Sequence, residues 1–217
     1  MREESKSIHV VVPVYNAETH IVSFLQSLEI ALTQLDLRFR TTLVNDGSVD
    51  DTLNVLQNFV ATSKVDSWQI VGLTERVGQQ MAIWTGLSTN REHEVLVIID
   101  DDMVVSFTLL GALLNPVLSG INDLVVAQQG ARGIRRLTSG LYWFAHQKFS
   151  KRKFEGRDLM LRAVSPALVA KIISGKKNIQ SISETTERIS KTPSRISGIN
   201  VTFLRSDSRY SSFDRFK

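Results

Sequence analysis

The stretch Ile8-His9-Val10-Val11-Val12-Pro13-Val14 decides the fold class of this chain. It is an almost continuous apolar run, which is typical of a strand buried on both faces of a parallel sheet. The apolar residues that follow change to a spacing of three and four, which predicts an amphipathic helix: Ile21, Phe24, Leu25, Leu28, Ala31, Leu32 and Leu35. A buried strand followed by such a helix predicts the first unit of an α/β sheet.

The same alternation repeats through residue 128. We predict further strands at residues 40–44, 68–73, 95–99 and 124–127, and further helices at residues 52–59, 81–87 and 107–118. The last of these helices should be kinked or stopped near Pro116. Strands that alternate with helices pair in parallel through right-handed crossovers. The order therefore predicts an α/β fold, a doubly wound, mostly parallel sheet with helices on both faces.

The composition excludes several classes of protein. The 217 residues are 42% hydrophobic and 22% charged, the balance of a globular protein. The chain has no cysteine, which excludes disulfides, thiolate catalysis and zinc–cysteine sites. Its first residues are charged and polar, and no stretch reaches ~18 uninterrupted apolar residues. We therefore expect neither a signal peptide nor a membrane span.

Charge divides the chain into two unlike halves. Residues 1–128 hold 7 Lys/Arg against 16 Asp/Glu, a formal charge of −9. Residues 129–217 hold 19 against 6, a formal charge of +13. An acidic half can hold a metal ion, and a basic half can meet phosphates or an anionic membrane. The alternative is uneven surface charge without a function.

The basic half begins with an aromatic, amphipathic stretch between residues 132 and 157. Its apolar residues recur three and four apart: Ile134, Leu137, Leu141 and Phe144. Two interpretations stay open, a helix packed on the sheet with a solvated basic face and a helix lying on a membrane surface. Beyond it we predict a short strand or turn from residue 159, a helix over 165–173, a polar loop over 174–198 and a last strand at 199–204.

Chemistry is expected where the predicted parallel strands end, because ligands of open sheets bind beyond their carboxyl ends. Polar segments mark four of these ends: residues 13–18, 45–52, 74–82 and 100–102. Taken alone, each segment is a weak signal, since the second could be a turn before an N-capped helix and the last a solvated loop. The adjacent carboxylates Asp100, Asp101 and Asp102 repel one another. A divalent cation bound with a diphosphate would offset that repulsion.

Other ligand-binding motifs are absent from the sequence. No Gly-x-Gly-x-x-Gly follows the first strand, which argues against a dinucleotide-binding Rossmann domain. No Gly-x-x-x-x-Gly-Lys is present, which argues against a P-loop NTPase. The histidines His9, His20, His93 and His146 lack metal-ligand spacing, and we interpret each as a structural or surface residue.

Together and in this order, the segments resemble family 2 glycosyltransferases with the GT-A fold. The matching residues are Val12 to Asn16 with Glu18, Asn45 to Ser48 with Asp50 and Thr52, Arg76 to Gln80 with Ala82, Gly86 and Leu87, and Asp100 to Asp102. The second half more loosely resembles the polyprenyl-phosphate branch, which includes dolichol-phosphate mannose synthase and bactoprenol glucosyltransferases. Its supporting residues are Arg132, Arg135 or Arg136, Leu159 to Arg162, and Ser208 to Ser211.

The resemblance implies a nucleotide-sugar site at the predicted rim. Its implied donor-binding residues are Pro13, Tyr15, Asn16, Glu18, Asp46, Gly47, Ser48, Gly78, Gln79, Asp100 and Asp101. Asp46 would accept a hydrogen bond from a base N–H, and Gln79 would reach the sugar or phosphate. Asp102 and Asp100 would coordinate Mg²⁺ or Mn²⁺ that bridges the diphosphate. The chain departs from the family at Ala17, where the family has an acid that Glu18 would replace.

The implied activity is inverting transfer of a sugar from a nucleotide diphosphate-sugar to a polyprenyl phosphate. The chain would be a single GT-A domain over residues 1–217, with a nucleotide-sugar half at 1–128 and an acceptor half at 129–217. The acceptor-side residues are Arg132, Arg136 and Arg209, and the implied catalytic acids are Asp158 and Glu155.

This activity would take place in the cytoplasm, at the inner face of the membrane. We expect a peripheral protein whose partners are an anionic membrane surface and a separate membrane protein, and not nucleic acid. Two alternatives stay open. One is transfer to a sugar hydroxyl in surface polysaccharide or lipopolysaccharide, and the other is a degenerate GT-A module that binds nucleotide without turnover.

Overall fold

The computed structural model describes residues 6–91, 93–129, 157–174 and 195–201. Its strands are β1 (Ser7–Val14), β2 (Arg38–Asn45), β3 (Trp68–Gly72), β4 (Glu94–Ile99), β5 (Leu124–Gln129), β6 (Arg157–Val164) and β7 (Ile196–Val201). Its helices are α1 (Ile21–Thr33), α2 (Thr52–Thr62), α3 (Gln79–Leu87), α4 (Phe107–Leu118) and α5 (Pro166–Ser174). The order of strands and helices follows the sequence prediction through β5.

The strands form one seven-stranded sheet in the order β3-β2-β1-β4-β6-β5-β7. Strand β1 is parallel to β2 and β4, and β2 is parallel to β3, so these strands end at one rim. Among the strands in the described ranges, only β6 runs against its neighbours. It is antiparallel to both β4 and β5, while β5 and β7 are parallel. The predicted doubly wound, mostly parallel α/β sheet is confirmed.

Helices cover both faces of the sheet and divide the core in two. On one face, α1, α2 and α4 pack against residues such as Val10, Val12 and Ile99. On the other face, α3 and α5 pack against residues such as Val11 and Ile98. Side chains of adjacent strand residues thus enter opposite cores, which explains why β1 and β4 read as continuous apolar runs.

The second half of the chain is built into the sheet of the first. Strand β6 lies between β4 and β5, with Leu161 opposite Ile99 and Ala163 opposite both Val97 and Val125. The prediction of a polar loop to residue 198 is wrong at its end, because β7 begins at Ile196. A Cβ on Gly198 would lie 2.6 Å from Gln128 Oε1, so Gly198 leaves room for the end of the Gln128 side chain. The aromatic basic stretch lies outside the described residues.

The rim at the amino ends of β1, β2 and β4 is held by buried polar contacts. Arg40 Nε donates to both carboxylate oxygens of Glu94, at 2.9 and 3.0 Å, and Arg40 also donates to Thr89 O at 2.6 Å. Burial alone would raise the pKa of Glu94. The hydrogen bonds from Arg40 and from the Arg91 N–H outweigh burial and hold that pKa below its ordinary value.

His9 is a fully buried member of the same rim. Its Nδ1 atom lies 2.7 Å from Asn90 Oδ1, and its Nε2 atom lies 2.9 Å from Thr42 Oγ1. Because an amide oxygen only accepts, Nδ1 carries the hydrogen, and in the neutral ring Nε2 accepts from the Thr42 hydroxyl. Burial, with the nearby charge of Arg40, lowers the pKa of His9 to about 4.

We expect acid to destabilise the fold through His9. Its folded-state pKa of about 4 lies below the ordinary value, so the unfolded chain takes up this proton first as the pH falls. The stability that neutral His9 contributes is complete above about pH 6.5 and is lost as the pH falls toward 4. At about pH 5, the free energy of unfolding should be lower by roughly 2 kcal/mol. Urea unfolding at about pH 7.5 and pH 5 should show this loss in the wild-type protein and not in His9→Gln.

The exposed histidine His93 provides the matched control, and His93→Gln should keep the wild-type pH dependence. The same loss of unfolding free energy in wild-type and His9→Gln protein would contradict this role of His9.

Candidate functional site

The loops that follow β1 and β2 bind each other at the carboxyl rim of the sheet. Asn16 N–H donates to Ser48 Oγ at 3.0 Å, and Val49 N–H donates back to Asn16 Oδ1 at 3.0 Å. Asn16 has a positive φ of 48°, which asparagine tolerates better than most residues. Ser48 Oγ in turn donates to Asn45 Oδ1 at 2.5 Å. These reciprocal bonds join the loops after β1 and β2 through Asn16 and Ser48.

A second set of bonds joins the same loops one step further out. Ala17 N–H donates to Thr52 Oγ1 at 2.7 Å, and Ala17 itself is fully buried. Asp51 N–H donates to Glu18 Oε2 at 2.8 Å, and Glu18 N–H donates to Asp50 Oδ2 at 3.3 Å. The structure thus gives Glu18, predicted as a donor-binding residue, a partner within the protein.

Asp46 connects the end of β2 to the loop after β3. Its side chain is buried, and Oδ1 accepts the Val77 N–H at 2.8 Å while Oδ2 accepts the Gly78 N–H at 3.0 Å. Its own N–H donates to Val14 O at 2.8 Å. Charge-assisted hydrogen bonds of this kind are stronger than neutral ones. Asp46 therefore fixes the loop that leads into α3.

Gly47 allows that loop to pass close to β2. Its φ is +61°, and a Cβ on it would lie 2.5 Å from Arg76 N and 2.8 Å from Glu75 O. Gly78 also has a positive φ of 92° at the N-cap of α3, but a Cβ there would meet nothing within 4 Å. Gly47 is therefore required by both conformation and close approach, and Gly78 by conformation alone.

An aromatic–cation contact lies beside these loops. The guanidinium carbon of Arg76 lies 4.2 Å from the ring centroid of Tyr15, within the range of a cation–π interaction. Tyr15 is half-buried and Arg76 is exposed, while Pro13 is buried as the penultimate residue of β1. Of the two predicted donor-binding residues, Tyr15 is thus partly accessible at the rim, whereas Pro13 is buried.

The three aspartates follow β4 and have different surroundings. Asp100 is half-buried, and its Oδ1 accepts a hydrogen bond from Gln79 Nε2 at 2.6 Å. Asp101 and Asp102 are buried, with 4% and 9% of their surfaces exposed. Asp101 Oδ2 lies 3.6 Å from His20 Nε2. Burial raises the pKa of Asp101, and the nearby His20 opposes that rise.

Gln79 was predicted to contact the sugar or phosphate, and in the structure its side chain binds Asp100. It is the first residue of α3 and binds Asp100, so it positions a carboxylate in addition to any contact with a sugar or phosphate. Among the described residues, no three His, Asp or Glu side chains converge as a ready-made metal site. Asp100 and Asp102 would supply only part of the oxygen ligands of a cation.

Strand β6 brings the second half of the chain to this rim. Met160 O accepts the Asp100 N–H at 3.2 Å, and the backbone of Asp158 lies opposite Gln128 of β5. Asp158, predicted as a catalytic acid, thus belongs to the strand that adjoins the aspartate turn. The other predicted acceptor-side residues lie outside the described residues: Glu155, Arg132, Arg136 and Arg209.

Sequence reasoning missed two side chains of this site. It gave His20 a structural or surface role and gave Arg76 no role beyond its place in a motif. The position of Arg76, after a predicted parallel strand, was a usable signal. No local signal marked His20, because its contact with Asp101 joins segments far apart in the chain.

Comparison with other sequences identifies relatives of the chain. Residues 9–177 match the family model described as Glycosyl transferase family 2. The undecaprenyl-phosphate 4-deoxy-4-formamido-L-arabinose transferase of Pseudomonas syringae pv. syringae is 36% identical over 99 residues, 45% of this chain and 28% of that protein. The transferase of the same name from Pseudomonas fluorescens is 26% identical over 208 residues, 94% of this chain and 60% of that protein. The chain spans less than two thirds of either relative.

Solved structures share the fold. Glucosyl-3-phosphoglycerate synthase from Mycobacterium tuberculosis, crystallised with Mn²⁺, UDP and glucosyl-3-phosphoglycerate, has a TM-score of 0.67 at 19% identity, covering 97% of this chain and 75% of that chain. The S. aureus TarS 1–349 structure has a TM-score of 0.58 at 18% identity, covering 89% of this chain and 58% of that chain. At these identities the likeness shows the GT-A fold. None of the helices in the described ranges has both the length and the apolar character to cross a bilayer.

We expect Gly47→Ala to destabilise the protein more than Gly78→Ala. Both changes force an alanine into a positive φ, which costs about 1–2 kcal/mol, but only at Gly47 does the new Cβ also press on backbone atoms. Gly47→Ala should therefore lower the free energy of unfolding by at least ~2 kcal/mol, and more than Gly78→Ala does. Urea unfolding measures both.

Gly111→Ala is the control for the added methyl group itself. Gly111 lies within α4 with open space around its Cβ position, so alanine there should stabilise the fold by about 0.5–1 kcal/mol. Equal losses at Gly47 and Gly78 would contradict the close approach of the two loops.

Proposed function

Because the chain belongs to glycosyl transferase family 2, we propose that it transfers a sugar from a nucleotide diphosphate-sugar to a polyprenyl phosphate, with inversion at the anomeric carbon. The observation that carries the proposal is the carboxyl rim. There the loops after β1, β2 and β3 and the aspartate turn after β4 are bound to one another by hydrogen bonds. Ligands of open parallel sheets bind at such a rim.

The base of the donor would be held by Tyr15 and Asp46. Tyr15 offers a half-buried aromatic ring, on which a base can stack. Asp46 already accepts two backbone N–H groups, but a carboxylate has about four acceptor positions, so it can also accept a ring N–H. Uracil carries such an N–H group. The UDP bound to the M. tuberculosis synthase of the same fold supports a uridine donor as the first one to test.

The diphosphate and its cation would be held at the aspartate turn. Carboxylate oxygens are the ligands that Mg²⁺ and Mn²⁺ prefer. Asp100 and Asp102 belong to the run of three aspartates that follows the end of β4. These two residues fit a cation whose remaining ligands come from the diphosphate. When bound, the cation would offset the negative charge of the leaving nucleoside diphosphate.

The residues of the chain would supply the geometry of the displacement. The acceptor oxygen forms its bond to the anomeric carbon as the bond from that carbon to the diphosphate oxygen breaks, on the opposite face of the sugar. A phosphate acceptor is already ionised near neutral pH and needs no strong base, whereas a sugar hydroxyl does. Asp158 would orient the acceptor, and its place in β6 supports this role, since Met160 O of that strand accepts the Asp100 N–H.

The acceptor class is supported by the relatives and by charge. Two relatives are named as undecaprenyl-phosphate transferases. The basic residues 129–217, with Arg132, Arg136 and Arg209 among them, would attract a lipid phosphate and an anionic membrane surface. The protein would then act peripherally at the cytoplasmic face of the membrane, with a membrane protein as a further partner.

We expect Asp102→Asn to remove the metal-dependent part of donor binding. A neutral amide is a poorer ligand than a carboxylate for a hard cation, so Mn²⁺ should no longer strengthen UDP binding, and turnover should fall at least ~10²-fold. Calorimetry with UDP, with and without Mn²⁺, measures the first effect. Sugar release from UDP-, dTDP- and GDP-sugars in the presence of polyprenyl phosphate measures the second.

The matched control is Asp36→Asn, which removes an exposed carboxylate between α1 and β2, away from the rim. It should behave as wild type. Full activity of Asp102→Asn would contradict the metal assignment. Sugar release that requires a sugar hydroxyl instead of polyprenyl phosphate would favour the polysaccharide alternative, and no release from any donor would favour the degenerate module.

Asp158→Asn and Glu155→Gln, made separately, test the acceptor side. A catalytic acid or base should lower kcat by ~10²-fold or more with little change in donor affinity, since it acts only in the transition state. Turnover is measured with donor at saturation and with polyprenyl phosphate as acceptor. Unchanged kcat in both variants would mean that the ionised phosphate needs neither residue as a base.

A further inference from the structure

Side chains at the end of β4 alternate between the two faces of the sheet, and the alternation continues into the aspartate turn. Ile98 lies in the core beneath α3 and α5, and Ile99 in the core beneath α1, α2 and α4. Asp100 then contacts α3, where Gln79 binds it, and Asp101 contacts the start of α1. The turn is therefore held from both faces of the sheet.

His20 is the residue that meets Asp101. It stands at the N-cap of α1, yet its side chain makes no capping hydrogen bond to the helix. Its Nε2 atom lies 3.6 Å from Asp101 Oδ2, and the side chain of Asp101 is only 5% exposed. A carboxylate buried to this degree requires a polar or charged partner. The imidazole of His20 lies within ion-pair distance of this carboxylate, although 3.6 Å is too long for a hydrogen bond.

The backbone holds the aspartate turn with long hydrogen bonds. Asp100 N–H donates to Met160 O at 3.2 Å, the upper end of the usual range, and Met103 N–H donates to Asp100 O at 3.4 Å, beyond that range. The conformation of the turn thus depends strongly on what its side chains bind. Release of Asp101 from the α1 face would free the backbone that also carries the two neighbouring carboxylates.

We propose that His20 is a positioning residue for the aspartate turn. By holding Asp101 on the α1 face, it keeps Asp100 and Asp102 in the arrangement that binds the cation and the diphosphate. The proposal rests on the proposed function for the role of those two carboxylates. The hold of His20 on the turn does not depend on it and can be measured separately.

Two amide substitutions separate this role from a role at the helix start. In His20→Gln, the side-chain nitrogen is as many bonds from Cβ as the Nε2 atom of histidine, so an N–H can still point to Asp101. In His20→Asn, the nitrogen is one bond closer and takes the place of Nδ1. Asparagine is among the best N-cap residues, so a role confined to the helix start would favour His20→Asn. Gln26→Ala, an exposed change on α1, is the control.

Two measurements are made on each variant and on His20→Ala. Hydrogen exchange of the Asp100 and Met103 amides reports on the turn, and calorimetry with UDP, in Mn²⁺ or in EDTA, reports on the site. In His20→Ala and His20→Asn, these amides should exchange about tenfold faster, and the Mn²⁺-dependent affinity for UDP should fall about 10-fold or more. The affinity in EDTA should not change. His20→Gln and Gln26→Ala should stay within about threefold of wild type in both measurements.

Unchanged exchange in His20→Ala would overturn the proposal, and so would faster exchange with unchanged Mn²⁺-dependent affinity. Wild-type behaviour of His20→Asn with loss in His20→Gln would also overturn it, in favour of a helix-start role. If the wild-type protein shows no Mn²⁺-dependent UDP binding, the proposed function fails. Faster exchange in His20→Ala and His20→Asn alone would then still support the hold of His20 on the turn.

Discussion

The carboxylate of Asp46 connects the loops at the carboxyl rim of the sheet. It accepts the N–H groups of Val77 and Gly78, and this fixes where the loop after β3 ends and α3 begins. Gln79 is the first residue of α3, and its side chain binds Asp100. A single buried acid at the end of β2 thus determines, through one loop and one helix start, how the first residue of the aspartate turn is held.

The proposed donor site is therefore held together by contacts within the protein itself. Its loops bind each other through Asn16, Ser48, Glu18 and Asp51, and its aspartate turn is held by Gln79 and His20. Side chains that are already fixed lose little conformational entropy when a ligand binds. In the proposed function, the binding energy of the nucleotide would then go into contacts with the ligand, because the loops would need no reordering.

The parallel part of the fold and the position of the rim were predictable from sequence because they depend on local patterns. Apolar runs mark β1 and β4, helical spacing marks α1, and polar residues mark the strand ends. The place of β6 was not predictable, since its pairing with β4 joins distant segments that no spacing reports. The contact of His20 with Asp101 was missed for the same reason. Asp46 and Glu18 were interpreted from the resemblance as ligand-binding residues, and their bonds to backbone N–H groups become visible only in the structure.

The position of β6 has a consequence for the order in which the protein can assemble during synthesis. Strands β1 to β4 leave the ribosome first and can pair with one another, but β4 then has an open, apolar edge until residues 157–164 emerge. Strand β5 is made earlier than β6, yet in the finished sheet it reaches β4 only through β6. An unpaired edge of this kind can join the edge of another nascent chain. Until β6 is inserted, the nascent chain is thus exposed to aggregation and is a substrate for chaperones that cover apolar strands.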